Sequence, residues 1–267
     1  MLVYYYTINL LMLISCLINN KQHAFSKTDN KITLIIPSLS RGGAERIISN
    51  IGSYWAEKGE NVQIIKTGTD IFRNEYPVNK KIKLINLHTK KHPKRFIYIY
   101  TLIKLFFVLK KERPKNVISF LTPTNILSIV VCKLLKIRCI VSERVDADLF
   151  SYGFIFEFLR FLLYRYSYRI VVQTRKNKKI LSKKAPGNYI VIPNFITHNF
   201  KNKPKKDLNI LISVGRLNIQ KGHDIAIKAF AEVIHLIPEW KFLIIGEGSE
   251  RKNLSKLIKK LKLKDKV

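Results

Sequence analysis

The chain has 267 residues, a length that suits one large domain or two of ordinary size. Its hydrophobic residues make up 47% of the total, which excludes a disordered basic tail because such a chain can bury a core. Its three cysteines (Cys16, Cys132, Cys139) follow no CxxC spacing. They therefore argue against a disulfide framework and a zinc site, and they favour a reducing compartment.

The charge is strongly positive, with 49 Lys and Arg against 18 Asp and Glu and a net charge of +31. This excess suits nucleic acid, an anionic membrane surface or an acidic substrate. A general bias of the composition toward Lys, Asn and Ile explains it equally well. The basic residues are spread along the whole chain without a zinc-finger, RRM or KH signature, so nucleic acid is not an expected partner.

The first 30 residues form an apolar extension. Met1 to Asn20 carries no charged side chain and contains the run LLMLISCLI, but it lacks the basic start and the cleavage site of a secretory signal. One interpretation is a short membrane anchor, and the lysines that follow would then keep the rest of the chain cytoplasmic. The other is a simple extension before the first strand.

Short β-branched runs alternate with helical patterns through residues 31–193. The predicted strands are 31–37, 62–67, 81–87, 117–121, 138–142, 170–174 and 189–193. The predicted helices run from the glycine-rich stretch to Lys58 and then over 96–111, 125–135, 154–166 and 176–184. Such alternation is typical of a parallel sheet covered by helices.

A second α/β pattern follows a polar, basic segment that contains Pro204. We interpret 194–208 as a linker and 209–267 as the second domain. Its predicted elements are a strand at 209–214, a helix at 223–236, a strand at 241–245 and a helix at 249–263. The sequence thus predicts two Rossmann-like domains that face each other across a cleft.

The stretch SLSRGGAER (residues 38–46) joins the first strand to the first helix. Gly42 and Gly43 lack a Cβ, so the backbone can approach a ligand, and the helix N-terminus offers free N–H groups to an anion. The pattern is neither GxGxxG nor a P-loop. An ordinary tight turn would have the same sequence.

The tripeptide SER follows the strand at 138–142. Ligands of open α/β sheets bind at the carboxyl ends of strands, so Glu143 and Arg144 could contact sugar hydroxyls there. The alternative is a surface ion pair.

The stretch VGRLNIQKG (residues 214–222) follows the first strand of the second domain. Arg216 and Lys221 could reach one diphosphate, because Arg supplies a bidentate fork and Lys a point charge, and Gly215 and Gly222 leave room for it. Alternatively, both cations are simply solvated.

Metal and hydrolase motifs are absent from the sequence. None of GxSxG, HExxH or a Walker pattern occurs, and the six histidines show no metal-ligand spacing. We therefore expect no metal site and no cofactor, and the sequence identifies no catalytic residue.

Five motifs occur in order at strand ends: IIPSLSRGGAER, VSERVD, VIPN, SVGRLNIQKG and FLIIGEGSER. Together they resemble the retaining glycosyltransferases of family four, which have the GT-B fold, and the resemblance covers residues 31–267. It implies transfer of a hexose-type sugar from a nucleotide-sugar, first of all a UDP-sugar, without an obligatory metal. It further implies a glycan or lipid-linked acceptor in bacterial surface polysaccharide synthesis, and a cytoplasmic enzyme that can work at the inner face of the membrane.

The resemblance also implies roles for individual residues. Gly42 and Gly43 correspond to the loop that approaches donor phosphate and acceptor, while Arg216 and Lys221, beside Gly215, correspond to the pair that holds the donor diphosphate. Glu143 and Arg144 would contact the acceptor in the cleft. The GEG turn at 246–248 would be structural or lie near the donor base.

The sequence departs from the family in its second domain. The family's pair of glutamates separated by seven residues, which holds the donor sugar and ribose, would lie beyond Val267. We therefore expect an incomplete second domain and little or no transferase activity from the printed chain. The alternative function is a non-catalytic remnant or binding module that keeps the acceptor domain.

Two predicted helices are rich in both aromatic and basic residues, those at 96–111 and 154–169. Their apolar faces could pack on the first sheet, or they could bind an anionic membrane surface as interfacial helices do. Both are compatible, with one face buried and the cations turned toward lipid.

Overall fold

The computed structural model describes residues 31–40, 42–68, 75–88, 97–146, 151–195 and 209–267. The chain divides into a first unit that ends at Ile196 and a second unit over Thr197–Val267. The N-terminal extension and all but two residues of the interpreted linker lie outside the described residues.

The first unit contains seven strands and five α-helices within the described residues. In chain order these are β1 (Ile32–Ile36), α1 (Gly43–Glu57), β2 (Val62–Lys66), β3 (Lys83–Asn86), α2 (Ile97–Glu112), β4 (Asn116–Phe120), α3 (Thr122–Leu135), β5 (Arg138–Ser142), α4 (Phe154–Leu163), β6 (Arg169–Val172), α5 (Arg175–Lys184) and β7 (Tyr189–Val191). The strands form one parallel sheet in the order β3-β2-β1-β4-β5-β6-β7.

The central strands are buried on both faces, which explains their continuous apolar runs. In β1, Leu34 and Ile36 join a core with α1, whereas Ile35 faces the opposite core with α2 and α3. Helices therefore cover both faces of the sheet, as the alternation of elements predicts.

The strand order reverses between β1 and β4. The chain adds β2 and β3 on one side of β1 and β4 to β7 on the other. Loops on either side of such a switch point diverge and leave a crevice at the carboxyl edge of the sheet. The glycine-rich loop after β1 and the turn after β4 flank this point.

In the first unit, two helix boundaries lie three residues from those expected from sequence, and in the second unit both helices end three residues earlier than expected. Helix α3 begins at Thr122 rather than Asn125, because Pro123 is tolerated in a first turn, where its missing N–H has no intrahelical partner. The expected helix 154–166 ends as an α-helix at Leu163, and a short 3₁₀ helix follows at Tyr164–Tyr166.

The second unit contains β8 (Ile210–Val214), α6 (His223–Val233), β9 (Lys241–Ile245) and α7 (Arg251–Lys260), with a 3₁₀ helix at Ile219–Lys221. Strands β8 and β9 pair in parallel. One face of this pair, with Phe242, packs into a core with Ile227, Phe230 and Leu254. Side chains of the opposite face, such as Ile212 and Val214, are exposed.

No helix within the described residues is both long and apolar enough to cross a membrane.

Candidate functional site

The glycine-rich loop places the N-terminus of α1 at the switch point. Gly42 is the N-cap residue and Gly43 is the first helical residue, beside which a Cβ would meet open space. A Cβ on Gly42 would instead overlap the carboxylate of Glu45, which lies against the helix N-terminus. A ligand can therefore reach this helix N-terminus from the side of Gly43. The negative charge of Glu45 lies close to the same helix end.

Glu143 lies directly after β5, and it is buried with 2% of its surface exposed. Thr122 Oγ1 donates to both carboxylate oxygens at 3.1 and 2.9 Å, and Asn125 Nδ2 donates at 3.2 Å. The Tyr164 hydroxyl also donates to this carboxylate. Donors of the chain itself thus bind both carboxylate oxygens of Glu143. The predicted contact of Glu143 with the sugar acceptor stays a prediction, and the geometry of this side chain does not support it.

This network ties three elements together at the carboxyl edge. Thr122 and Asn125 belong to the first turns of α3, where a negative charge is favourable, and Tyr164 follows α4. Burial, followed by the charge of Glu143, raises the pKa of Tyr164 well above its ordinary value. Tyr164 therefore remains a donor at neutral pH.

Arg144 lies beside this network in a second polar cluster. Its guanidinium lies 4.8 Å from the ring centroid of Phe120, and Nη1 donates to Asn194 Oδ1 at 2.6 Å. Gln173 Nε2 donates to the same Asn194 oxygen at 3.1 Å. Burial lowers the pKa of Arg144 to about 10, which leaves it cationic at neutral pH. At the carboxyl ends of β4 to β7, neutral groups thus hold the Arg144 cation in place.

Most of these partners lie outside the motifs of the sequence. Thr122, Asn125 and Tyr164 belong to none of the five motifs, and Asn194 is part of VIPN. A usable signal was present at Asn125, a polar residue at the start of the apolar helix α3. Tyr164 had no local signal, because its partner is 21 positions away and only the sheet order brings them together.

The loop between β8 and α6 places Lys221 across Gly215. The Lys221 side-chain carbons lie 3.6–3.7 Å from the position of a Cβ on Gly215, and Arg216 is the next residue. Backbone hydrogen bonds from Asn218 to Arg216 (2.9 Å) and from Lys221 to Asn218 (3.1 Å) keep the loop compact. Both cations are exposed, and neither has a carboxylate partner within the described part of the chain. The loop thus holds the Lys221 side chain against Gly215, a residue without a side chain, and the next residue is the exposed Arg216.

The GEG turn packs directly on this loop. A Cβ on Gly246 would lie 1.8 Å from the Gly215 carbonyl oxygen, and one on Gly248 would lie 2.3 Å from that of Leu217. Gly215 donates to Ile245 O at 3.0 Å, and Leu217 donates to Glu247 O at 2.9 Å. These glycines permit a backbone approach that holds the Arg216 segment in place, which supports the structural interpretation of the turn.

His223 begins α6 and is buried. Its Nδ1 lies 3.3 Å from Ser213 Oγ, which joins the start of the helix to β8. This contact therefore joins the two ends of the loop between β8 and α6. Among the described residues, no group of three or more His, Cys, Asp and Glu side chains is placed to hold a metal ion.

Comparisons with known proteins agree with this architecture. The family model described as Glycosyl transferases group 1 matches residues 194–267. An amylovoran biosynthesis glycosyltransferase of Erwinia amylovora is 24% identical over 88% of this chain and 67% of its own length. A Campylobacter jejuni α-1,4-N-acetyl-D-galactosaminyltransferase, named for a lipid-linked GalNAc–diNAcBac–undecaprenol acceptor, is 28% identical over 88% of this chain and 66% of its own length.

The structural likeness covers both units. Anabaena Alr3699/HepE, solved with UDP and glucose, superposes with a TM-score of 0.68 at 13% identity, over 88% of this chain and 67% of that protein. The fold is that of the GT-B glycosyltransferases. In sequence, the chain is similar to these glycosyltransferases over most of its length. It spans about two thirds of the length of these relatives.

Proposed function

We propose that the protein is a retaining glycosyltransferase that moves a hexose-type sugar from a UDP-sugar to a glycan or lipid-linked acceptor of a bacterial surface polysaccharide. The observation that carries this proposal is the loop 215–222. Two exposed cations without carboxylate partners among the described residues flank Gly215, in the unit that matches the group 1 glycosyl transferases.

The chemistry of the loop suits a diphosphate. A guanidinium can hold two phosphate oxygens in a bidentate pair, and an ammonium adds a movable point charge. When the bond between sugar and phosphate breaks, negative charge grows on the departing diphosphate. Cations already in place stabilise that charge without reorganisation, so Arg216 and Lys221 would both bind the donor and promote departure of UDP.

The remaining parts of the proposal concern the acceptor and the location. A lipid-linked or oligosaccharide acceptor is proposed because the relatives include an enzyme named for a lipid-linked acceptor and one of amylovoran biosynthesis. Work on such an acceptor would place the protein in the cytoplasm, at the inner face of the cell membrane, with an anionic membrane surface as a further partner. We propose no metal cofactor, so chelation should leave UDP binding unchanged.

UDP binding tests the proposal. The measurement is titration calorimetry of the printed chain with UDP, because UDP carries the diphosphate that the loop is proposed to hold. We expect Arg216→Gln and Lys221→Gln each to weaken binding by about tenfold or more, since a hydrogen bond to a charged group contributes roughly 1.5–3 kcal/mol.

The matched controls are Lys252→Gln and Lys256→Gln, which remove exposed cations from α7 of the same unit. They should leave UDP affinity unchanged. Equal losses from all four variants would show a general charge effect and contradict a diphosphate site in the loop. Absence of UDP binding in the native chain would favour the non-catalytic alternative.

A further inference from the structure

Helix α4 carries an unusual number of large apolar side chains in water. Its sequence is FIFEFLRFLL, and Phe154 and Ile155 are 84% and 68% exposed. Phe158 and Phe161 continue the exposed side, each nearly half exposed. A helix that is hydrophobic nearly all round requires a second apolar partner besides the core it packs on.

Helix α2 adds a second apolar stripe. Ile99, Ile103 and Phe107 recur at four-residue spacing and are exposed, and Phe107 reaches 62%. The two helices meet at an edge-to-face contact between Tyr98 and Phe156, whose ring centroids are 5.4 Å apart. The stripes of α2 and α4 thus belong to one continuous surface, which we call the α2–α4 face.

A groove runs between the two helices over α3. It has a volume of about 160 Å³, and its lining is apolar throughout. Its walls and floor include Leu102, Ile126, Val130, Phe156 and Leu159. Such a groove accepts hydrocarbon and offers no polar group to hold a water-soluble ligand in a fixed orientation.

The charges around this face are predominantly positive. The Lys110 ammonium lies 5.9 Å from the Phe106 ring centroid, and the Arg165 guanidinium lies 5.8 Å from that of Phe161. The acidic side chains of α2 and α4 are already paired, Glu112 with Lys31 and Lys83 and Glu157 with Arg160. The face therefore combines exposed apolar side chains with a basic rim.

We infer that the α2–α4 face docks on an anionic lipid bilayer, with Phe154 and Ile155 inserted among the lipid chains and hydrocarbon seated in the groove. Anionic headgroups neutralise the basic rim, and each Lys or Arg near such a surface contributes about 1 kcal/mol. A second copy of this chain would instead bring two strongly positive molecules together, since each carries +31.

The α2–α4 face lies close to the carboxyl edge of the sheet, so docking could help to bind a lipid-linked acceptor. This step rests on the proposed function. Tyr164, which directly follows α4, donates to Glu143 at the carboxyl end of β5, so this helix ends beside the carboxyl edge of the sheet. The groove also begins at Pro123, in the first turn of α3. A lipid-linked acceptor could therefore keep its chain at the face while its polar head reaches the sheet edge.

Vesicle co-sedimentation of the printed chain tests the inference. We expect binding to phosphatidylcholine vesicles that contain phosphatidylglycerol, and markedly weaker binding to pure phosphatidylcholine. Phe154→Ser/Ile155→Ser should weaken binding to the anionic vesicles by about tenfold or more, because each buried apolar side chain contributes roughly 1.5–3 kcal/mol.

The matched control is Ile225→Ser/Leu236→Ser in the second unit, whose side chains are 68% and 71% exposed. It should bind vesicles like the native chain. Equal binding by the Phe154/Ile155 variant and the native chain would overturn the inference, as would equal binding to neutral vesicles. Loss of self-association with unchanged vesicle binding would assign the face to a second copy and overturn it too.

UDP titration separates this inference from the proposed function. The Phe154→Ser/Ile155→Ser variant should bind UDP like the native chain, because its changes lie in the first unit. A native chain that binds anionic vesicles but not UDP would contradict the proposed function and leave the docking face intact. The reverse result would contradict the docking face alone.

Discussion

Glu143→Ala is expected to lower the free energy of unfolding of the first unit by roughly 3 kcal/mol or more. The substitution leaves the hydroxyls of Thr122 and Tyr164 without their carboxylate acceptor in a buried site, and it removes one of the acceptors of the Asn125 amide, which still donates to Ser142 O. Each buried donor without a partner costs about 1–3 kcal/mol, and a cavity adds to the loss. Urea unfolding followed by tyrosine fluorescence and circular dichroism measures the effect.

Glu57→Ala is the matched control for this prediction. Glu57 is an exposed carboxylate at the end of α1 in the same unit, so its removal should change stability by less than about 0.5 kcal/mol. If both variants unfold at the same urea concentration, the buried network does not stabilise the unit. Glu143 would then be free for another role, such as the acceptor contact that its sequence position suggested.

Gly246→Ala is expected to destabilise the second unit by about 1–3 kcal/mol and to weaken UDP binding in parallel. The added Cβ would lie 1.8 Å from the Gly215 carbonyl oxygen, so the GEG turn and the loop 215–222 must move apart. That movement breaks the backbone hydrogen bonds that hold Gly215 and Leu217, and it displaces Arg216 between them. Thermal unfolding and UDP calorimetry on the same sample report the two effects.

Gly43→Ala is the steric control for stability. A Cβ at this position meets nothing within 4 Å, so the substitution should be neutral or slightly stabilising in the first turn of α1. A Gly246→Ala variant as stable as Gly43→Ala would show that the close backbone approach is not required. Reduced stability with unchanged UDP affinity would separate the turn from the donor site.

Most of the strands could be predicted because their signals are local. Runs such as ITLII and VQIIK are apolar and β-branched, and a parallel strand buried on both faces needs such a run. The contact of Lys221 with Gly215 was equally accessible, since the two residues are six positions apart in one loop. That Arg216 and Lys221 bind one diphosphate stays a prediction.

Contacts between residues far apart in the sequence could not be predicted from local patterns. Glu143 meets Thr122 and Tyr164 only because β4 and β5 are neighbours in the sheet and α4 returns to the same edge. Its carboxylate looked free in the tripeptide SER because nothing near it in sequence donates to it. Arg144 and Asn194 are likewise 50 positions apart, and the strand order alone brings them together.

The sequence predicts that α4 is apolar, but it does not predict which of its side chains are exposed. The composition of FIFEFLRFLL does not show which residues pack in the core. The structure buries Leu163 and leaves Phe154 and Ile155 in water. This distribution, rather than the composition, is what supports a lipid-facing role.

Amide hydrogen exchange of the whole chain, with and without UDP, tests the central claim most directly because it locates the bound diphosphate. We predict that UDP slows exchange most strongly in the segment 214–223, where the backbone N–H groups lie beside Arg216 and Lys221. Protection confined to other segments, with 214–223 exchanging as fast as in the free chain, would contradict a diphosphate site in this loop.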